Sequence, residues 1–505
     1  MKNKHYTTED VLKSMPRTGF FGHPKGLSTL FFTEFWERFS YYGMKAILAY
    51  YLYYSVADGG FGLSQAVALQ IVALYGTLIY MSGTLGGWIA DRITGTRHAL
   101  FYGGILIMIG HIILSVPGNL TAVLVALLFL IIGTGLLKPN ISTTVGDLYE
   151  KNDARLDGAF TIFYMGINLG ALLSPLLTGL LQTRLGFHYG FAAAAIGMFF
   201  GLVAYVLKSK KNLGLAGLSV PNPLTKQDAK KLAPPTIGIL VLVIAYIIIL
   251  KAFDALTLSN FSFLVTLIGL ALPVYIFIYM LLSKRTEKHE RSRVYSYIPL
   301  YITSVAFWMI QEQGSTVLAN FADQNTELEL AKLTNGLIDF SIPASWFQSL
   351  NPIFIVALAP VFATLWVKLG KYNPPTVVKF ALGAIIAGLS YLIMIIPLAG
   401  GATTGIHPIW LVLSFLLIAF GELCISPIGL STTTKLAPLK FNAQMMSLWM
   451  LSNATAQGLN AQLVVLFKSM DQGQFFLYSG LFTIAIGALL LFFSPIVRRG
   501  MKGIY

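Results

Sequence analysis

Residues Ser28–Val56 read STLFFTEFWERFSYYGMKAILAYYLYYSV. At 1.5 Å of helix rise per residue, this run exceeds the roughly 30 Å of a bilayer's hydrocarbon core. It also holds Glu34, Glu37, Arg38 and Lys45. A charge at the centre of a membrane helix costs roughly 2.5–3.5 kcal/mol on insertion scales. Such residues persist only where something pairs with them or uses them. Their spacing puts Glu34, Glu37, Arg38, Tyr41, Tyr42 and Lys45 on one broad helical face. Fixed pairs that merely set helix register would need fewer charges. The run therefore predicts a membrane helix lining a polar path.

The whole chain agrees with that opening. Hydrophobic residues make up 56% of the 505 positions and charged residues 11%, against about 25% charged in a soluble globular chain. Mean hydropathy is +0.71. The expected class is an all-α integral membrane protein in contact with lipid. A disordered chain, a disulfide scaffold and a nucleic-acid binder are excluded as main readings. The single cysteine, Cys424, lies in an apolar run and cannot form an internal disulfide.

Apolar runs of spanning length lie at 28–56, 63–89, 99–116, 121–141, 158–182 and 187–207. Two more, at 235–253 and 262–283, follow a lysine-rich interval. Six others lie at 296–320, 346–367, 376–398, 406–430, 442–467 and 475–497. Fourteen spans divide the chain into an N-terminal segment (1–27), a first six-helix bundle (28–207) and a basic linker with two accessory helices (208–295). A second six-helix bundle (296–497) and a tail (498–505) follow. With the N-terminus inside, 28 of the 35 Lys and Arg residues fall in inner segments. Only Arg184, Lys332 and Lys468 fall outside, so both termini are expected in the cytoplasm. That bias accounts for the net charge of +14 without a nucleic-acid partner.

Three further ionisable residues sit in later spans: Lys138 beside Pro139, Glu312 in Gln311–Gly314, and Glu422. Together with the first span they give four acids and three bases. Three ion pairs would leave one carboxylate to be neutralised by a proton or a substrate ammonium. A glutamate that changes partner can bind and release a proton, because burial and a neighbouring cation act on it in opposite senses. His111 reads as a packing residue of the third span. Gly133–Pro139 (GTGLLKP) and Gly421–Pro427 (GELCISP) share a G-x5-P spacing, each followed by Ser-Thr-Thr. Such a repeat is what two related halves rocking about a central site would leave.

Glu34–Gly43 (EFWERFSYYG) matches in full the ExxERFxYYG motif of the proton-dependent oligopeptide transporter family, within the major facilitator superfamily. Gly87–Arg97 (GWIADRITGTR) resembles the superfamily's loop between spans two and three. Phe163–Gly170 (FYMGINLG) is similar to the family's second signature, and the two extra helices resemble the bacterial members' insertion. The resemblance covers essentially the whole chain.

It implies a major facilitator fold and a proton-coupled symporter of di- and tripeptides, without cofactor, metal or enzymatic activity, in a bacterial inner membrane. By that resemblance Arg38, Tyr42, Tyr80, Lys138 and Asn168 bind the peptide's carboxylate and backbone, and Asn351 and Glu422 face its amino terminus. Glu312 is tied to proton coupling and salt-bridges Lys45 near the outer gate, with Glu34 and Glu37 supporting proton movement. A second gate pair is expected between Lys138 and Glu422. Many members have arginine where Lys45 stands, and lysine lacks the bidentate fork. Animal members carry a proton-linked histidine in the second span, whereas 63–89 contains none. Trp308 and Trp449, each within two turns of a polar residue, are expected either to wall a side-chain pocket or to pack. A monomer is expected. The alternatives are the same fold carrying nitrate, a drug or an amino acid. A membrane enzyme is disfavoured by the lack of any metal cluster, nucleophile elbow or Walker loop. A channel is disfavoured by polar groups scattered singly rather than in rings.

Overall fold

The computed structural model describes residues 6–150, 153, 155–255 and 257–501. Lys2, Lys4, Lys151 and Lys502, counted above among the inner cations, lie outside them. A short helix α1 (Thr8–Lys13) and a two-stranded hairpin, β1 (Gly19–Phe20) and β2 (His23–Pro24), precede six long helices. These are α2 (Lys25–Tyr53), α3 (Gln65–Ile89), α4 (Thr96–Ser115), α5 (Leu120–Gly146), α6 (Leu156–Leu185) and α7 (Phe187–Leu213). Next come α8 (Lys226–Ala252), α9 (Leu258–Leu282), α10 (Lys288–Glu312), α11 (Val317–Gln324) and α12 (Leu330–Leu333). The chain ends with α13 (Leu350–Lys368), α14 (Thr376–Leu392), α15 (Ile395–Leu398), α16 (Ile409–Leu436), α17 (Asn442–Ser469), α18 (Gln472–Phe492) and α19 (Ser494–Gly500).

Among the described residues, ten helices are long and apolar enough to cross a membrane. Large apolar side chains on their outer faces, such as Phe199, Phe200, Leu207, Leu282 and Phe492, are exposed. Unlike a soluble protein, the molecule turns apolar side chains outward in bulk, and with these helices that makes it a multi-pass membrane protein. The helices α2, α8, α10 and α17 fall outside that set. Buried charges interrupt α2, and a polar, basic first turn interrupts α10.

Helix edges depart from the apolar runs where polar residues continue a helix or small ones break it. The run 296–320 is not one helix. It stops at Glu312, passes through a 3-10 turn at Gln313–Ser315 and resumes at Val317. Gly314, Ser315 and Thr316 are weak helix formers, and the Ser315 hydroxyl takes the Glu312 carbonyl at 3.2 Å.

Packing depends on small residues where helices cross, as expected when lipid provides no hydrophobic drive between them. The helix α2 lies against α6 and α7, and α4 against α5 and α7. In the second group α14 lies against α16 and α18, and α10 against α14, α16 and α17. The two G-x5-P repeats mark equivalent crossings. A Cβ at Gly133 would lie 2.7 Å from the Gly103 carbonyl oxygen, and one at Gly421 equally 2.7 Å from that of Gly383.

Hydrogen bonds join α2 and α6 to the α10–α18 segment toward the end of α2. Tyr50 donates to Ala319 O at 3.1 Å, Gln348 to Ala46 O at 3.0 Å, Trp346 to Leu176 O at 3.0 Å and Ser349 to Leu172 O at 2.9 Å. The helix α3 packs on α17, and α9 packs on both of them. Thr266 on α9 donates to the Gly458 carbonyl of α17 at 2.8 Å, and Thr455 on α17 donates to Gly269 on α9 at 2.8 Å.

Candidate functional site

The charged face of α2 is deeply buried. Arg38 is 2% exposed, Glu34 2% and Glu37 0%. Arg38 Nε lies 2.7 Å from Glu34 Oε1 and 2.9 Å from Glu37 Oε2. One guanidinium therefore serves two carboxylates through a single nitrogen. Its Nη2 has no hydrogen-bond partner among the described residues, so part of the fork remains available to another acceptor.

Close approach of α6 holds this group in place. A Cβ at Gly170 would lie 2.6 Å from Phe35 O and 2.9 Å from Arg38 Cβ. The last residue of the Phe163–Gly170 signature is thus small because α2 presses on it beside Arg38. On the same helix Asn168 is buried and donates to the Tyr164 carbonyl at 2.9 Å.

Lys138 is placed by a second crossing. Pro139 lacks the N–H that would bond Gly135 O, and that carbonyl faces Gly86 of α3, where a Cβ would come within 1.9 Å. Asn140 completes the junction by donating to Gly86 O at 3.2 Å. From there Lys138 Nζ sits 4.3 Å above the ring of Tyr80, a cation–π contact. Tyr42 is half-buried, its ring centroid 5.0 Å from that of Tyr41.

Glu312, at the end of α10, collects groups from three other helices. Lys45 Nζ on α2 approaches its Oε2 to 2.9 Å, and Tyr80 on α3 donates to Oε1 at 3.2 Å. Asn453 on α17 donates to Oε1 at 2.9 Å, and Gln457 on the same helix donates to Oε2. Lys45 and Glu312 are 6% and 7% exposed.

Glu422 on α16 takes a hydrogen bond from Asn351 Nδ2 on α13 at 2.9 Å. The expected Lys138–Glu422 bridge is not made in this structure. Lys138 stacks on Tyr80 while Glu422 accepts from Asn351, and each residue is thereby engaged within its own set of helices. Trp308 and Trp449 meet edge to face at 6.4 Å between centroids. Trp449 also lies over Gly429, where a Cβ would be 2.1 Å from its ring. His111 is fully buried, with neither ring nitrogen bonded among the described residues.

The sequence reading missed Asn453 and Gln457. An amide at spacing four on a membrane helix was the available signal, since both then face one side. Among the described residues no group of His, Cys, Asp and Glu could hold a metal ion.

Fold and site together define a multi-pass membrane protein whose buried ion pairs and amides join two groups of helices around a polar centre. The model of the POT family matches residues 97–478, and the chain belongs to that family. It is 45% identical over 484 residues to a protein of Lactococcus lactis named a di-/tripeptide transporter, covering 95% of this chain and 97% of that one. To the uncharacterized transporter YclF of Bacillus subtilis it is 52% identical over 496 residues, covering 98% and 99%. A crystal structure of a peptide transporter POT in complex with sulfate superposes with a TM-score of 0.93 at 52% identity. It covers 99% of this chain and 100% of that one.

Proposed function

We propose that the chain is a proton-coupled symporter that imports di- and tripeptides by alternating access. The observation that carries this reading is Tyr80. Its hydroxyl donates to Glu312 while its ring supports Lys138. A substrate carboxylate that draws Lys138 from the ring disturbs the side chain that holds Glu312, and so couples substrate binding to the Lys45–Glu312 lock.

In this reading Arg38 and Lys138, with Tyr42, Tyr80 and Asn168, take the peptide's carboxylate and backbone through charge-assisted bonds. Glu422 and Asn351 take its ammonium, and Trp308 and Trp449 wall a side-chain pocket. A cationic group on one set of helices opposite an acid on the other suits a zwitterion. Relatives named as di-/tripeptide transporters support that substrate class.

Glu312 is the coupling acid, with Glu34 and Glu37 in support. Protonation of Glu312 cancels the charge that holds Lys45, the outer contacts loosen, and the halves rock to accept peptide from outside. Bound peptide then closes the outer end and opens the inner one, and loss of the proton there restores the lock. Twelve helices form two six-helix bundles, with α8 and α9 as accessory spans in the 208–295 linker. That makes fourteen spans in a bacterial inner membrane, with both termini cytoplasmic and the monomer as the working unit.

The test is uptake of labelled dialanine by purified protein in liposomes, with and without an inward proton gradient. Accumulation only with the gradient, competed by tripeptide and not by free alanine, is the expected result. Gradient-independent peptide uptake would remove the coupling role of the carboxylates, and no uptake by folded protein would remove the substrate class.

A further inference from the structure

Away from the polar centre, a groove of about 640 Å³ opens between the first turns of α10 and the terminal helix α19. Lys288 and Arg291 stand at its rim, and Pro299, Ile496 and Val497 form its wall beside the ring of Tyr295. Tyr295 and Ile496 are 60% and 64% exposed, an expensive arrangement in water and an ordinary one at a lipid surface. The cations are not neutralised from within. No carboxylate is among the described residues lining the groove. Glu287, at the N-cap of α10, lies 3.2 Å from His289, and Glu290 is buried, with its two oxygens accepting the backbone N–H groups of Glu287 and Leu439 at 2.9 Å each. Arg291 Nη2 donates to Ser283 O at 3.1 Å, while its Nε is buried without a partner among the described residues.

We propose that this groove binds one anionic phospholipid, its phosphate between Lys288 and Arg291 and an acyl chain along Pro299, Ile496 and Val497. Two cations at the rim of a groove whose lining holds no carboxylate call for an anion at close range, and the apolar wall fits a lipid better than a free ion. Basic pockets between membrane helices recognise headgroups by this combination. The site is separate from the transport path and stands whether or not the substrate is a peptide.

The test is native mass spectrometry of the full-length protein in neutral detergent, titrated with phosphatidylglycerol, phosphatidylcholine or inorganic phosphate. The wild type is expected to retain one phosphatidylglycerol in preference to phosphatidylcholine. Removing both cations (Lys288→Gln with Arg291→Gln) should weaken phosphatidylglycerol binding about thirtyfold and leave phosphatidylcholine unchanged. Ile496→Asn, at an exposed position, provides a second variant that opposes the acyl chain without adding a charge beside either cation, and it too should lose the lipid. Equal binding of the two lipids by wild type, or unchanged phosphatidylglycerol binding in both variants, would overturn the site. So would saturation of the protein by inorganic phosphate alone.

Discussion

Lys45 Nζ and Glu312 Oε2 meet at 2.9 Å although the two residues are 267 positions apart in the chain. Both are more than nine-tenths buried, so this contact joins the first long helix to the second half of the molecule in a medium that punishes unpaired charge. Removing one partner of a buried pair costs about 3–5 kcal/mol, whereas replacing both can be nearly neutral.

That asymmetry gives the first prediction. Lys45→Ala should lower the thermal midpoint of the detergent-solubilised protein strongly, because it strands the Glu312 carboxylate among Tyr80, Asn453 and Gln457. The double variant Lys45→Ala with Glu312→Gln should recover most of the loss, since a neutral amide can still bond those side chains. Equal midpoints for the single and double variants would mean that the pair is solvated and does not lock the halves.

The second prediction separates coupling from binding. Glu312→Gln removes the group proposed to carry the proton but retains hydrogen-bonding capacity toward its neighbours. Gradient-driven uptake of dialanine should fall to background, while counterflow exchange, which requires no net proton movement, should stay within about threefold of wild type. Full gradient-driven uptake with lost counterflow would reassign the coupling role.

Much of this architecture can be read in the sequence because membrane insertion makes charge conspicuous. Lys45, Glu312, Lys138 and Glu422 stand out as ionisable residues in apolar runs, and the G-x5-P repeat marks crossings that the structure displays at Gly133 and Gly421. What could not be read depends on the third dimension. Asn453 and Gln457 are ordinary polar residues along a mixed helix, and only the packing of α17 on α10 aims both at Glu312. The break after Glu312 was hidden because Phe321 and its apolar neighbours continue the hydrophobic run beyond it. The state of the protein was also hidden. Lys138 and Glu422 have complementary charges, yet in this conformation each has another partner, Tyr80 and Asn351.

A third prediction concerns Gly429. The Trp449 ring lies against it so closely that an added Cβ would fall 2.1 Å from a ring carbon. Gly429→Ala must therefore displace the indole from its place beside Trp308, at the pocket proposed for side chains. Uptake of dialanine should stay within about twofold of wild type, while dipeptides carrying phenylalanine should need about tenfold higher half-inhibitory concentrations as competitors. That loss is of the size that one apolar pocket contact contributes to discrimination. Uniform losses for small and bulky peptides would instead make Trp449 a packing residue.

The fourth prediction concerns the end at which the halves are joined. Tyr53 and Tyr54, successive residues at the end of α2, donate to the two oxygens of one carboxylate, Asp323, at 2.8 Å and 2.5 Å. Hydrogen bonds to a charged acceptor are worth about 1.5–3 kcal/mol each, and the partly solvated rim places these toward the low end. Tyr53→Phe with Tyr54→Phe keeps both rings and their packing, so the change falls on the bonds to Asp323 rather than on the core. The equilibrium should move toward the outward-open side by roughly tenfold or more. Spin labels placed on the exposed residues Val56 and Leu337 would report this as growth of a longer-distance population. A distance distribution identical to wild type would show that Lys45–Glu312 and the Tyr50 and Gln348 contacts close the outer end without help from Asp323.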